Sequence, residues 1–224
     1  MQLETFNATN YHALCDALAL KDQRLASILK LYGYPPFWSR PNTFESLIHI
    51  ILEQQVSLSA ALAAIEKLRQ VLPEFTPESF LMLNDEVLKS CYFSRQKIGY
   101  ARDLAIHLSD GRLDLLQLET LHGDEVRQQL IRIKGIGNWT IDIYLLMILH
   151  RTDVFPKGDL AAMNGLRKLA GTSETVPKEE LATETLLWKP YRSIATMLIW
   201  HLYLAEGKNI ADKKSVIEII SMTL

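Results

Sequence analysis

Cysteine is scarce in this chain, which has only Cys15 and Cys91, far apart in the sequence. No Cys-x-x-Cys pair occurs, and this argues against a zinc ribbon or an iron–sulfur cluster, because both need clustered thiolates. So few cysteines fit a reducing cytosol better than a secreted fold held by disulfides. The histidines are isolated, so we expect no transition metal and no other cofactor.

The chain also has no excess of positive charge. It contains 24 Lys and Arg and 26 Asp and Glu, which gives a net charge of −2. A nucleic-acid binder needs cations on one face, whatever the total, so an argument for DNA binding must rest on local features. The most apolar run, Ile143 to Leu149, is far too short to span a membrane. The N-terminus lacks a basic stretch before an apolar core, so we expect no signal peptide.

Signals for β-strands are scarce as well, because no Asn-Gly or Asp-Gly turn joins two alternating segments. Apolar residues recur instead at three- and four-residue spacing, and they make up 48% of 224 residues, enough for a large core. We predict an all-α fold of about ten short helices, as one large domain or two small lobes. The predicted helical segments are 11–32, a helix capped by Thr43, 60–72, a helix starting at Thr76-Pro77, a helix from Ser94 through Leu108, 124–131, 138–150, 160–169 ended by Gly171, and Pro190 to about Ala205.

A tight turn, Lys134-Gly135-Ile136-Gly137, joins two of these helical segments. Glycines let the backbone turn sharply, and the free N–H groups that start the next helix suit a DNA phosphate. Lys134 adds a positive charge beside them. A Gly-x-Gly turn alone is a weak signal, and from these three residues by themselves a plain helix–helix connection is the simpler interpretation.

The segment from Leu130 to Thr140 resembles the helix–hairpin–helix motif of the base-excision DNA glycosylase superfamily, and Val154 to Leu160 resembles the Gly/Pro-rich loop and Asp that follow it. The DNA-3-methyladenine glycosylase II branch is the most similar, in members without an N-terminal β-domain. Further resemblances follow in the family's order, at Phe44 to Ser57, Ser94 to Ala105 and Trp188 to Trp200. The resemblance implies two helical lobes, 38–132 and 1–37 plus 133–224, with the hairpin (130–150) and the Asp loop (153–160) at the cleft between them.

Asp159 precedes a helical segment, so a helix N-cap is its simplest interpretation. The resemblance assigns it the catalytic role, and the two roles are compatible because a helix N-terminus favours an ionised carboxylate. A fixed negative charge stabilises the oxocarbenium character that develops when a glycosidic bond breaks, and the same group can activate water. Asp153 fits the family pattern less well.

The resemblance also implies the reaction type and the base pocket. Relatives with lyase activity carry a Lys where this chain has Trp139, so we expect hydrolysis by water and no strand nicking. Alkylated purines often carry positive charge, which an aromatic pocket attracts. The candidates are Trp139, Tyr144, Tyr191 and Trp200, although an aromatic residue on an apolar helix is more often part of the core. Ile143 stands where relatives keep an aromatic, which leaves the substrate range open.

Extrusion of a base leaves a gap in the duplex, which an inserted side chain fills as a wedge. The resemblance places this wedge at Gln55, after Gln54. A polar loop between two helices is an alternative interpretation of both residues. Candidate phosphate contacts are Lys134, Gly135, Gly137, Arg95 and Lys97, with Lys157 nearby. Scattered cations are usually just a solvated face. Relatives suggest that the hairpin carbonyls can also hold a monovalent cation.

The expected function is therefore a monofunctional DNA N-glycosylase that releases alkylated purines from double-stranded DNA and acts as a monomer. We expect it in the cytoplasm with the nucleoid in a bacterium, or in the nucleus of a eukaryote. Two alternatives stay open: a non-catalytic helix–hairpin–helix DNA-binding protein, and a glycosylase for mismatched or oxidised bases. The sequence does not rank 3-methyladenine against 7-methylguanine or ethenoadenine.

Overall fold

The computed structural model describes residues 4–206, which form thirteen α-helices and one 3₁₀ helix. Within these residues no strand forms, and the one β-type pairing is an isolated antiparallel bridge between Thr5 and Arg151. The predicted all-α fold is thereby confirmed. The α-helices are α1 Tyr11–Lys21, α2 Gln23–Tyr32, α3 Phe44–Glu53, α4 Leu58–Val71, α5 Pro77–Leu81, α6 Asp85–Ser90, α7 Arg95–Ser109, α8 Leu115–Thr120, α9 Gly123–Leu130, α10 Asn138–Met147, α11 Leu160–Ala170, α12 Lys178–Leu181 and α13 Arg192–Glu206, and the 3₁₀ helix covers Ala182–Trp188.

Helix starts predicted from capping residues are confirmed. The side chain of Thr43 accepts from the Ser46 N–H at the start of α3, and Ser94 accepts from the Lys97 N–H at the start of α7. Gly171 ends α11 in the left-handed conformation with φ 64°. None of the helices within residues 4–206 is long and apolar enough to cross a membrane.

The predicted segment 11–32 is two helices and not one. Asp22 has an extended backbone, with φ −139° and ψ 111°, and its carboxylate accepts from the Arg24 N–H at the start of α2. The same carboxylate accepts a hydrogen bond from Trp188 Nε1 at 2.9 Å, a partner 166 residues away. The apolar spacing alone did not indicate this break, because the distant indole is what makes an extended, buried Asp22 favourable.

The chain divides into two compact units. The first consists of residues 1–39 and 145–224, and its described part has a core built around α13, which packs against α1, α2 and α11. Its fully buried side chains include Leu18, Leu25, Leu166, Trp188 and Leu198. A helix apolar on most of its circumference, like α13, is expected at the centre of such a bundle.

The second unit consists of residues 40–144. Its central helix is α3, in which every residue but Glu45 is buried. Helices α4 and α7 pack on α3, and α5 and α6 pack on α7. Phe44 and Phe80 meet edge-on with ring centroids 5.7 Å apart, which is a favourable geometry for two aromatic rings.

This division differs from the expected one at the hairpin. Residues 133–144 group with 40–132, whereas the resemblance implied that they belong with the C-terminal segment. The reason is local contact, since Lys134 N donates to Asp103 on α7 at 2.8 Å and Gly135 lies against the ring of Tyr100. Residues 207–224, which we assigned to the C-terminal lobe, lie outside the described residues.

Candidate functional site

Asp159 lies at the end of the loop that follows α10, and it is the N-cap of α11. Its Oδ1 atom accepts from the Ala162 N–H at 2.7 Å, and its own N–H donates to the Pro156 carbonyl at 2.9 Å. The side chain is only partly buried. The capping interpretation is therefore correct, and Asp159 keeps part of its surface exposed while it caps the helix.

Trp200 fixes the orientation of this carboxylate. Its indole Nε1 donates to Asp159 Oδ1 at 2.9 Å, from a position 41 residues further along the chain. An indole N–H can only donate and an ionised carboxylate only accepts, so the pair is matched and the Asp159 rotamer is constrained. The aromatic residue predicted for the base pocket thus contacts the carboxylate predicted for catalysis.

The close approach of α11 and α13 sets the distance between these two residues. A Cβ added to Gly165 on α11 would lie 2.4 Å from Ile199 Cγ2 and 3.1 Å from the Ile199 carbonyl oxygen. The backbone of α11 therefore runs directly against the residue that precedes Trp200. A larger residue at 165 would push the two helices apart and lengthen the hydrogen bond to Asp159.

Trp38 is a core residue that packs on Trp200, and the sequence analysis missed it. Its ring meets that of Trp200 edge-on, with centroids 6.1 Å apart and planes at 74°, and it retains 9% exposure. The preceding residue, Phe37, stacks on His150 at 5.2 Å, and His150 Nε2 makes a 2.9 Å hydrogen bond with Ser39 Oγ. The adjacent aromatics of the run Pro35-Pro36-Phe37-Trp38 were a signal that the sequence analysis did not use.

Asp153, the weaker candidate for catalysis, is committed to a structural ion pair. Arg192 binds both of its carboxylate oxygens, with Nε to Oδ1 at 2.6 Å and Nη2 to Oδ2 at 3.0 Å. Ser193 continues this anchor, because its hydroxyl donates to the Arg151 carbonyl and accepts from the Val154 N–H. The N-terminus of α13 thus holds one end of the Asp159 loop while Trp200 holds the other.

Tyr191, another predicted pocket residue, lies on the turn before α13. The ammonium of Lys21 sits over its ring, 5.7 Å from the centroid. One face of the ring is therefore occupied by a cation of the chain itself, which favours a packing role.

In the second unit, the predicted hairpin forms between α9 and α10. Gly135 has φ +85°, and a Cβ there would lie 2.0 Å from Tyr100 Cγ, so only glycine fits. A Cβ on Gly137 would meet nothing within 4 Å, so the backbone there is open to a ligand. The side chain of Lys134 is exposed beside the start of α10. The pairing of a tight glycine with an open glycine agrees with a turn that approaches an anion closely.

Gln54 and Gln55 have different environments. Gln55 is exposed, and its backbone adopts φ +56°, which is uncommon for a non-glycine residue. Gln54 points inward, and its Nε2 donates to the Gly135 carbonyl at 2.9 Å and to Thr140 Oγ1 at 3.0 Å. The amide of Gln54 thus already binds the hairpin, so Gln55 and not Gln54 is the residue of this pair that presents its side chain to solvent.

The predicted phosphate contacts also separate into two kinds. Arg95 and Lys157 are exposed, as Lys134 is. Lys97 is half-buried instead, and its Nζ donates to the Leu52 carbonyl at 2.6 Å at the end of α3. Burial lowers the pKa of Lys97, against the opposing effect of the Glu53 carboxylate. We predicted Lys97 as a phosphate contact, but its ammonium caps a helix end.

Tyr144 is a core residue, which corrects its prediction as a pocket residue. It is fully buried, and its hydroxyl donates to Asn42 Oδ1 at 2.7 Å. Ile143 beside it is 3% exposed and equally part of the core. Trp139, on the first turn of α10, is half-buried. Of the two aromatics predicted in this helix, only Trp139 has surface that a ligand can contact.

Comparisons with known proteins agree with this arrangement. The chain matches the family model described as HhH-GPD superfamily base excision DNA repair protein over residues 48–193. It is 30% identical to DNA-3-methyladenine glycosylase 1 of Schizosaccharomyces pombe, over 80% of this chain and 82% of that protein. The structure of the 3-methyladenine DNA glycosylase of that yeast in complex with abasic DNA is similar, with a TM-score of 0.80 and 28% identity over 88% of this chain and 98% of that one. The DNA-3-methyladenine glycosidase of Bacillus halodurans matches with a TM-score of 0.72 and 28% identity, over 97% and 100% of the two chains.

Proposed function

The chain belongs to the HhH-GPD superfamily of base excision DNA repair proteins, and from this premise we propose that it is a monofunctional DNA N-glycosylase that extrudes and hydrolytically releases alkylated purines. Its proposed substrates are 3-methyladenine, 7-methylguanine and ethenoadenine in double-stranded DNA. The observation that carries the proposal is the Asp159 carboxylate, held by the Ala162 and Trp200 N–H groups and partly open to solvent.

The geometry of Asp159 suits an oxocarbenium-like transition state. Positive charge develops on the sugar as the bond to the base breaks, and a carboxylate already oriented by two donors stabilises it without reorganising. The same carboxylate can orient the water that attacks the sugar. An alkylated purine with a positive charge is already a good leaving group, so the base needs little help from a protein acid.

The aromatic pair Trp200 and Trp38 supports recognition of such a base. The half-buried Trp200 ring beside Asp159, with Trp38 packed edge-on against it, offers an electron-rich surface, and a cation on such a surface gains about 0.5–2 kcal/mol. This preference for cationic bases would discriminate against normal, neutral purines. Trp139, half-buried on α10, stays a predicted pocket residue.

The reaction is hydrolysis without a lyase step. A lyase needs an amine that attacks the sugar, and the first turns of α10, Asn138-Trp139-Thr140-Ile141-Asp142, contain no Lys. Gln55 is the proposed wedge, since it is exposed on a strained backbone, and Lys134 with the open glycine Gly137 is the proposed phosphate site. We propose that the protein acts as a monomer, on the nucleoid of a bacterium or in the nucleus of a eukaryote.

The test is base release from methylated duplex DNA under single-turnover conditions, by the wild type and by Asp159→Asn. Asparagine keeps an oxygen that can accept from Ala162 and Trp200 but removes the charge. We expect the rate to fall by a factor on the order of 10³, with DNA affinity unchanged. Asp124→Asn, at an exposed position of α9, is the matched control and should act like the wild type.

Other outcomes of this experiment identify the alternatives. Binding to DNA without base release by any of the three proteins would indicate a DNA-binding module. Release of mismatched or oxidised bases with inactivity on methylated purines would indicate a different substrate class. Full activity of Asp159→Asn would remove Asp159 from the mechanism.

A further inference from the structure

Three consecutive residues at the end of α3 are each anchored to a different segment of the second unit. The Leu52 carbonyl accepts from Lys97 on α7 at 2.6 Å. The Glu53 carboxylate accepts from Arg40, the first residue of this unit, at 2.9 and 2.5 Å. Gln54 binds the hairpin. A helix end usually frays, and three successive polar anchors oppose fraying at this one.

The side-chain amide of Gln54 donates both of its hydrogens to the hairpin region. One goes to the Gly135 carbonyl at 2.9 Å and the other to Thr140 Oγ1 at 3.0 Å. Gly135 is the tight glycine of the turn, and Thr140 is a buried residue in the first turns of α10. A side-chain amide has two donors, so this single group holds both sides of the turn.

The ion pair of Glu53 with Arg40 holds the end of α3 in place directly before Gln54. Both side chains are buried, at 6% and 7% exposure. Burial by itself would raise the pKa of Glu53, but the Arg40 charge and its hydrogen bonds hold that pKa below its ordinary value. His49 lies one turn earlier, and burial, aided by the Arg40 charge, lowers its pKa to about 4. Near pH 7, Glu53 and Arg40 are therefore both ionised and His49 is neutral. The charges at the end of α3 thus do not change around this pH.

Gln55 follows directly and is the residue that these anchors constrain. Gln54 is extended, with φ −60° and ψ 122°, and Gln55 then turns into the left-handed region at φ +56°. A non-glycine residue is unfavourable in this region, and it persists where the surrounding structure imposes it. The contacts of Leu52, Glu53 and Gln54 supply that constraint.

We propose that Gln54 is a positioning residue that couples the phosphate-binding hairpin to the wedge at Gln55. Its hydrogen bonds fix the position of the hairpin backbone relative to the left-handed turn at Gln55. When the hairpin binds the DNA phosphates, the Gln55 side chain therefore lies where it can fill the gap left by the extruded base. This inference rests on the proposed function. It assigns Gln54 a role in selecting extruded DNA over normal duplex, while Gln54 itself contacts no DNA.

The first experiment uses Gln54→Met, which keeps length and volume but removes both donors. Affinity is measured for a duplex with a tetrahydrofuran abasic site and for the same duplex undamaged. Fluorescence of 2-aminopurine beside that site reports unstacking. We expect the preference for the abasic duplex to fall about tenfold, with affinity for undamaged DNA unchanged. Gln70→Met, at an exposed position on α4, is the matched control and should keep the full preference.

A double-mutant cycle separates positioning from simple structural support. If Gln54 acts through Gln55, Gln54→Met should have little further effect on the preference in a Gln55→Ala background. Thr140→Val, which removes one acceptor without changing shape, should reproduce part of the loss, and Thr140→Ser should restore wild-type behaviour. The two threonine variants also keep the test informative if Gln54→Met folds poorly.

The outcomes distinguish this inference from the proposed function. If the wild type neither prefers abasic DNA nor releases bases, the proposed function fails first. If the wild type does both and Gln54→Met matches it, only the coupling role is wrong. Additive losses in the cycle, or a lower free energy of unfolding with an unchanged preference, would show that Gln54 is structural alone.

Discussion

The two units hold their functional residues by different means. In the first unit, Asp159 is oriented by a side-chain donor, Trp200, on a helix far along the chain, and Trp38 packs on that donor. In the second unit, the hairpin and the proposed wedge depend on backbone conformation, with φ +85° at Gly135 and φ +56° at Gln55. Packing against distant residues therefore orients the proposed chemical group, whereas local turns of the backbone position the proposed DNA contacts.

This contrast predicts that a substitution at Gly135, where the turn depends on backbone conformation, acts first on folding, whereas a substitution at Trp200 acts first on the rate of base release. Gly135→Ala should have the largest effect on stability, because its Cβ would overlap the Tyr100 ring and its φ is unfavourable for alanine. We expect a loss of about 3 kcal/mol in the free energy of unfolding, measured by urea denaturation.

Gly137→Ala is the control for that substitution, because nothing lies within 4 Å of its added Cβ. Its unfolding free energy should change by less than about 0.5 kcal/mol, while affinity for duplex DNA falls if the phosphate approaches this glycine. Equal destabilisation by the two variants would contradict the distinction between a tight and an open glycine.

In the first unit, Trp200→Phe should have the next largest effect, and this effect is on the rate of base release. Phenylalanine keeps an aromatic ring against Trp38 but removes the N–H that orients Asp159. Loss of a hydrogen bond to a charged group is worth about 1.5–3 kcal/mol, so the single-turnover rate of base release should fall about 10- to 100-fold. Affinity for abasic DNA should change little, and an unchanged rate with weakened binding would assign Trp200 to substrate binding alone.

Lys134→Ala should have the smallest effect, because it removes one exposed charge from the hairpin. Affinity for any duplex should fall a few-fold, and the slope of log affinity against log salt should decrease by about one. Lys30→Ala, at an exposed position of α2 in the first unit, is the charge-matched control. An unchanged salt slope for Lys134→Ala would remove this residue from the phosphate site.

The sequence interpretation and the structure differ at several polar and aromatic residues in the same way. The residue types of Gln54, Lys97 and Tyr144 suit DNA or base contact, yet each makes an internal contact with a partner at least 45 residues away. Conversely, Trp38 was overlooked because its partner Trp200 is distant in the sequence. Distant partners decide whether a polar or aromatic side chain turns into the protein or towards solvent. The spacing of residues along one helix does not reveal these partners.

The sequence by itself determined the helical class, the main helix starts, the glycine turn and the position of Asp159, because capping, φ preferences and apolar periodicity are local properties. The tertiary structure decided which donors orient Asp159, how the chain divides around the hairpin, and that Gln54 turns inward while Gln55 turns out. These outcomes depend on long-range contacts, such as the close packing of Gly165 on Ile199 and the amide of Gln54 on the Gly135 carbonyl. They arise only when segments distant in sequence pack together, since packing selects one of several locally acceptable side-chain arrangements.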